Sequence, residues 1–71
     1  MMEPKKRFDI IIQKLRDNNH KITPQRLAIV DILSKGSGHP SVEDIYSQLN
    51  HDFPTMSLAT VYRNILLIKS L

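Results

Sequence analysis

Three polar start signals, at Thr23, Ser41 and Ser57, each stand directly before an amphipathic run and cut the chain into four segments of helical periodicity. A hydroxyl oxygen in that position accepts from the amide groups that the first turn of a helix leaves unpaired. Thr23 is followed by Pro24, whose fixed φ and missing donor suit the first helical position. Ser41-Val-Glu-Asp44 has the spacing of a capping box, and Met56, just before Ser57, is placed to staple onto Val61. A chain punctuated in this way is expected to be all-α.

In chain order, Pro4 opens a first helix over about residues 4–18, with Phe8, Ile11, Ile12 and Leu15 on one face. Asn18 and Asn19 tolerate the left-handed conformation that ends helices, so the chain is expected to turn there. A second helix over 24–35 carries Leu27, Ile29, Val30, Ile32 and Leu33 and is stopped by Gly36. Gly36-Ser-Gly-His-Pro40 reads as a turn. A third helix over 41–50 presents Val42, Ile45, Tyr46 and Leu49, and His51-Asp-Phe-Pro-Thr55 breaks it, because Pro54 cannot continue a helix and biases Phe53 away from one. The fourth helix, over 57–70, aligns Leu58, Val61, Ile65 and Ile68 as an apolar stripe. Neither glycine nor a polar stop closes it. Leu66, Leu67 and Leu71 lie off the stripe, which points to a following hairpin packed on them, a wide core face or a dimer contact.

Composition narrows the function classes. Seventy-one residues make one small domain, and 41% hydrophobic with 24% charged residues is the balance of a globular chain rather than a disordered tail. The absence of cysteine removes disulfides, thiolate zinc sites and cysteine nucleophiles, and is compatible with a cytoplasmic setting. No apolar run approaches the roughly 20 residues of a membrane span, so no membrane partner is expected. The segment after the basic start is interrupted by Asp9, Gln13 and Lys14, unlike a secretory signal. His20, His39 and His51 lack the close spacing of a metal pair. Glu43 and Asp44 are adjacent, so they point about 100° apart on a helix, wrong for paired acid/base work. With no phosphate loop or nucleophile elbow either, an enzyme is not expected. The net charge of +3 leans toward an anionic partner.

A helix, a short proline-bearing link and a second helix follow the order of a helix-turn-helix, with the element that starts at Ser57 in the reading position. The face opposite its apolar stripe begins with Ala59, Thr60 and Arg63, small and hydrogen-bonding groups suited to a DNA major groove. An ordinary amphipathic core helix would show the same periodicity. Lys21 sits on the short link between the first two helices, where a solvated loop lysine is the plain alternative, as an exposed turn histidine is for His39.

Three segments resemble a known family. Lys21-Ile-Thr-Pro-Gln-Arg26, His39-Pro-Ser-Val-Glu-Asp-Ile-Tyr46 and Phe53-Pro-Thr-Met-Ser-Leu-Ala-Thr-Val-Tyr-Arg63 occur in the order and at about the spacing of the ferric uptake regulator family, metal- and peroxide-responsive bacterial repressors. The resemblance implies a four-helix winged helix-turn-helix domain truncated before its β-hairpin wing, with the C-terminal dimerisation and metal domain outside this chain. It assigns Tyr62 and Arg63 to bases in the major groove of double-stranded DNA and Lys21 to the adjacent minor groove of an A·T-rich operator. Ser57 and Thr60, near the positive end of the helix, would serve phosphates. His39 aligns with the metal-ligand histidine that the DNA-binding domain gives to the family's sensing site. Phe-Pro-x-Met-Ser and His39-Pro40 look closest to the peroxide-sensing branch, although that branch often has asparagine directly after the tyrosine, where this chain has Arg63 and then Asn64.

The expected function is therefore sequence-specific DNA binding within a repressor that is a homodimer loaded with Fe2+, Mn2+ or Zn2+. This chain alone is expected to be mainly monomeric and to hold no metal tightly. Two rivals follow from the residues: a helical protein-interaction module using Leu66, Leu67 and Leu71, or a stand-alone metal-binding protein.

Overall fold

The computed structural model describes residues 4–35 and 40–71. It contains α1 (Pro4–Asp17), α2 (Pro24–Lys35), α3 (Val42–Leu49) and α4 (Leu58–Lys69), with no strand among the described residues. Gly36, most of the turn that follows it and His39 lie outside them.

Local chemistry sets the helix ends. Arg26 N donates to Thr23 Oγ1 at 3.2 Å and Leu27 N to the Thr23 carbonyl at 2.9 Å, so Thr23 caps α2. At α3 the box closes both ways: Asp44 N donates to Ser41 Oγ at 3.1 Å, and Ser41 N to Asp44 Oδ2 at 3.2 Å. Ser57 Oγ accepts from Thr60 N at 3.1 Å to start α4. The expected bounds at 41, 50, 57 and 70 each fall one residue outside the helix proper, because Ser41, Asn50, Ser57 and Ser70 are its caps. Ser70 also corrects the expectation that α4 has no polar stop, since its hydroxyl donates to the Leu67 carbonyl at 2.7 Å and its amide closes the last turn.

α1 ends at the asparagines. Asn19 takes φ 62°, His20 N donates to the Leu15 carbonyl at 2.9 Å, and Asn19 N donates to that of Arg16 at 3.0 Å. This pair of bonds is a Schellman turn, with asparagine in the left-handed position that glycine usually fills. It reverses the chain at once.

α2 is central and packs against each of the other three helices. The buried core draws Leu15 from α1, Ile29 and Val30 from α2, Ile45 and Leu49 from α3, Met56 from the link, and Val61, Ile65 and Ile68 from α4. Met56 and Val61 share this cluster, as the staple requires. Leu58 does not. It is 42% exposed, a correction to the apolar stripe: at the first helical position its side chain projects beyond the end of the core. Leu67 and Leu71 pack partly on the core, leaving Leu66 alone of the three strongly exposed, at 50%. Arg7 Nη1 reaches the Ser34 carbonyl at 3.4 Å and ties α1 to the far end of α2.

Candidate nucleic-acid interface

α4 separates its two duties by face. Val61, Ile65 and Ile68 are buried, while Ala59, Tyr62 and Arg63 are exposed on the other side of the same turns. The burial behind fixes the rotation of the helix, and that rotation sets the phenol and the guanidinium toward solvent. Tyr62 is 51% exposed, more than a ring placed for packing would be. An open apolar groove beside it is lined by Val42, Glu43, Leu58, Ala59, Tyr62 and Arg63. Leu58 and Ala59 thus belong to the exposed face of α4 rather than to the core.

The N-terminus of α4 is electrostatically available. α3 carries Glu43 and Asp44 in its first turn, which neutralise the positive end of its dipole; α4 has no acidic residue there. The Ser57 and Thr60 hydroxyls hydrogen-bond to each other at 3.0 Å while Ser57 caps the helix. One hydroxyl hydrogen of the pair is committed to that bond, and the other can be offered outward.

Lys21 is exposed on the link after the Asn19 turn. Its main chain is held by Arg26, whose Nη1 donates to the Lys21 carbonyl at 2.7 Å. The same guanidinium donates from Nε to Asn64 Oδ1 at 2.9 Å, and Asn64 Nδ2 donates to the Thr60 carbonyl at 2.8 Å. Arg26 and Asn64 therefore join the Lys21 link to α4, one residue along from Arg63. Sequence reasoning missed both. Two signals pointed to them: Arg26 is a cation in the first turn of a helix, where the dipole disfavours it, and Asn64 is an asparagine inside a helix, where its propensity is poor.

These features make a basic, hydrogen-bonding surface that spans α4 and the α1–α2 link. Residues 17–71 match the model of the ferric uptake regulator family. The chain belongs to the ferric uptake regulator family. It is 43% identical over 60 residues to the peroxide-responsive repressor PerR of Staphylococcus saprophyticus, covering 84% of this chain and 40% of that protein. It is 44% identical over 54 residues to the peroxide operon regulator of Bacillus subtilis, covering 76% of this chain and 37% of that one. Its fold superposes on a solved structure described as GAS PerR-Zn-Zn with a TM-score of 0.84 and 36% identity, over 90% of this chain and 41% of that one. The match lies with the peroxide-responsive branch of the ferric uptake regulator family, and the family is one of regulators rather than enzymes. The chain spans about 40% of the length of these relatives. Its four helices, with no strand among the described residues, fit the helical part of the winged helix-turn-helix of the ferric uptake regulator fold.

No group of three or more His, Asp or Glu side chains that could hold a metal is found among the described residues. No helix of the described residues is long and apolar enough to cross a membrane.

Proposed function

We propose that this chain is the DNA-reading part of a metal-responsive transcriptional repressor, with α4 laid in the major groove of double-stranded DNA. The observation that carries the reading is the exposure of Tyr62 and Arg63 side by side on a helix whose opposite face is buried. Arg63 has the fork geometry to bridge guanine O6 and N7, and the Tyr62 ring can pack on a thymine methyl. Lys21 enters the adjacent minor groove, whose narrow A·T form concentrates negative potential. Ser57 and Thr60, at the uncompensated end of α4, meet phosphates.

His39 is the ligand that the family resemblance assigns to a metal site, and among the described residues no group of three or more His, Asp or Glu could hold a metal by itself. On this reading the remaining ligands and the Fe2+, Mn2+ or Zn2+ would belong to a second domain, which would also make the homodimer. Metal there would fix the spacing of two reading helices on two half-sites. The setting is cytoplasmic, where chromosomal operators lie.

The test is a gel-shift titration of the chain on A·T-rich duplexes across a salt series. A single copy without dimer avidity should bind weakly, as a monomer, and lose affinity steeply with salt. No retardation at low salt together with self-association would instead favour a protein-interaction module built on Leu66. Stoichiometric uptake of Mn2+ or Zn2+ by calorimetry would favour the stand-alone metal-binding protein.

A further inference from the structure

Between the link that carries Lys21 and the outer face of α4 lies a cleft that shares Arg63 with the base contacts above, while His20, Arg26, Asn64 and Leu67 have no role in them. It is lined by His20, Arg26, Thr60, Arg63, Asn64 and Leu67. Five of these six side chains can donate hydrogen bonds, two are guanidinium groups, and no carboxylate lines the cleft. Arg26 spends one N–H on the Lys21 carbonyl and one on Asn64, leaving three of its five donors for a ligand. Those two bonds also hold the guanidinium in place before anything arrives, so little side-chain freedom is lost when a ligand binds.

Duplex geometry identifies the ligand. A minor groove and the major groove beside it are divided by one sugar-phosphate strand. A protein that puts Lys21 into the first and Arg63 into the second must let that strand pass between them. Arg26 is bonded to the main chain of Lys21 on one side and to the residue after Arg63 on the other, so it stands at the crossing. We propose that the cleft seats one phosphodiester of the dividing strand, with Arg26 as its main donor; this rests on the groove assignments proposed above. Phosphate suits the site because a planar guanidinium pairs with it through two parallel, charge-assisted bonds.

A methylphosphonate scan tests this. On an A·T-rich duplex selected by the chain from a random pool, each phosphate is replaced in turn by its neutral methylphosphonate, and binding is measured for the parent and for Arg26→Gln. The expected result is one position on the dividing strand whose neutralisation weakens the parent about tenfold and the variant less than about twofold. Circular dichroism checks that the variant keeps its helices. Equal losses in parent and variant at every position overturn the proposal, and so does a parent scan in which no phosphate on that strand stands out, a result independent of how the variant folds. Failure of the groove assignments registers separately, as unchanged base preference in Tyr62→Ala and Arg63→Ala, and a pool that yields no bound duplex overturns both.

Discussion

Arg26 Nε donates to Asn64 Oδ1 at 2.9 Å across 38 residues of sequence, joining the first turn of α2 to the middle of α4. The bond is partly buried and has a charged donor, which places it among the stronger contributions of its kind. A double-mutant cycle of Arg26→Ala and Asn64→Ala in urea unfolding is expected to give a coupling of about 1.5 kcal/mol. Strictly additive losses would mean that the pair does not act together in solution.

Arg63→Ala is expected to lose about 1 to 3 kcal/mol of discrimination between duplexes that differ at one guanine, with thermal stability almost unchanged. The side chain is exposed, so little packing goes with it. Competition titrations read the first quantity and a melting curve the second. A uniform loss on all sequences would make Arg63 a phosphate contact instead.

Lys21→Ala is expected to act differently. It should weaken A·T-rich duplexes more than G·C-rich ones, because the narrow minor groove supplies the potential that a lysine responds to. The salt dependence of binding should fall by roughly one ion. If both duplex types lose equally, the lysine is not in a minor groove.

The two serine caps separate stability from recognition. Ser41→Ala and Ser57→Ala each remove a side-chain acceptor for a first-turn amide and are expected to cost about 0.5 to 2 kcal/mol of folding stability. Only Ser57→Ala should also weaken DNA binding, since α4 has no first-turn carboxylate and offers its positive end outward. Equal DNA affinity of the two variants, once each is fully folded, contradicts that division.

Neighbouring residues on α4 give a packing contrast. Ile65 is 5% exposed and Leu66 50%. Ile65→Ala should cost about 2 to 5 kcal/mol and Leu66→Ala less than about 0.5, as measured by denaturant midpoints. A large loss at Leu66 would reveal a contact made in self-association.

The parts of the fold legible in the sequence are those set by near neighbours. Thr23, Ser41 and Ser57 cap helices through atoms within three residues, and Asn19 turns the chain through its own dihedral, so each could be read without knowing what lies across the core. Leu58 departs from its expected burial because periodicity assigns a face but not the length of core available to cover it. Arg63 is legible from the helical pattern of α4 and Tyr62 only from the family resemblance, and the burial of Val61, Ile65 and Ile68 supplies the physical reason for the exposure of both. The pairing in the Arg26–Asn64–Thr60 network is not legible in the sequence. Its partners meet only once α2 and α4 pack, and sequence offers no more than two residues poorly suited to their local positions.

The span from His20 to Thr23 is clamped at both ends, by the reversed turn at Asn19 before it and by the Thr23 cap after it. Its length then works as a ruler. Adding a single residue there would shift Lys21 relative to α4, so on the reading proposed above the number of residues in that gap matters more to binding than their identity.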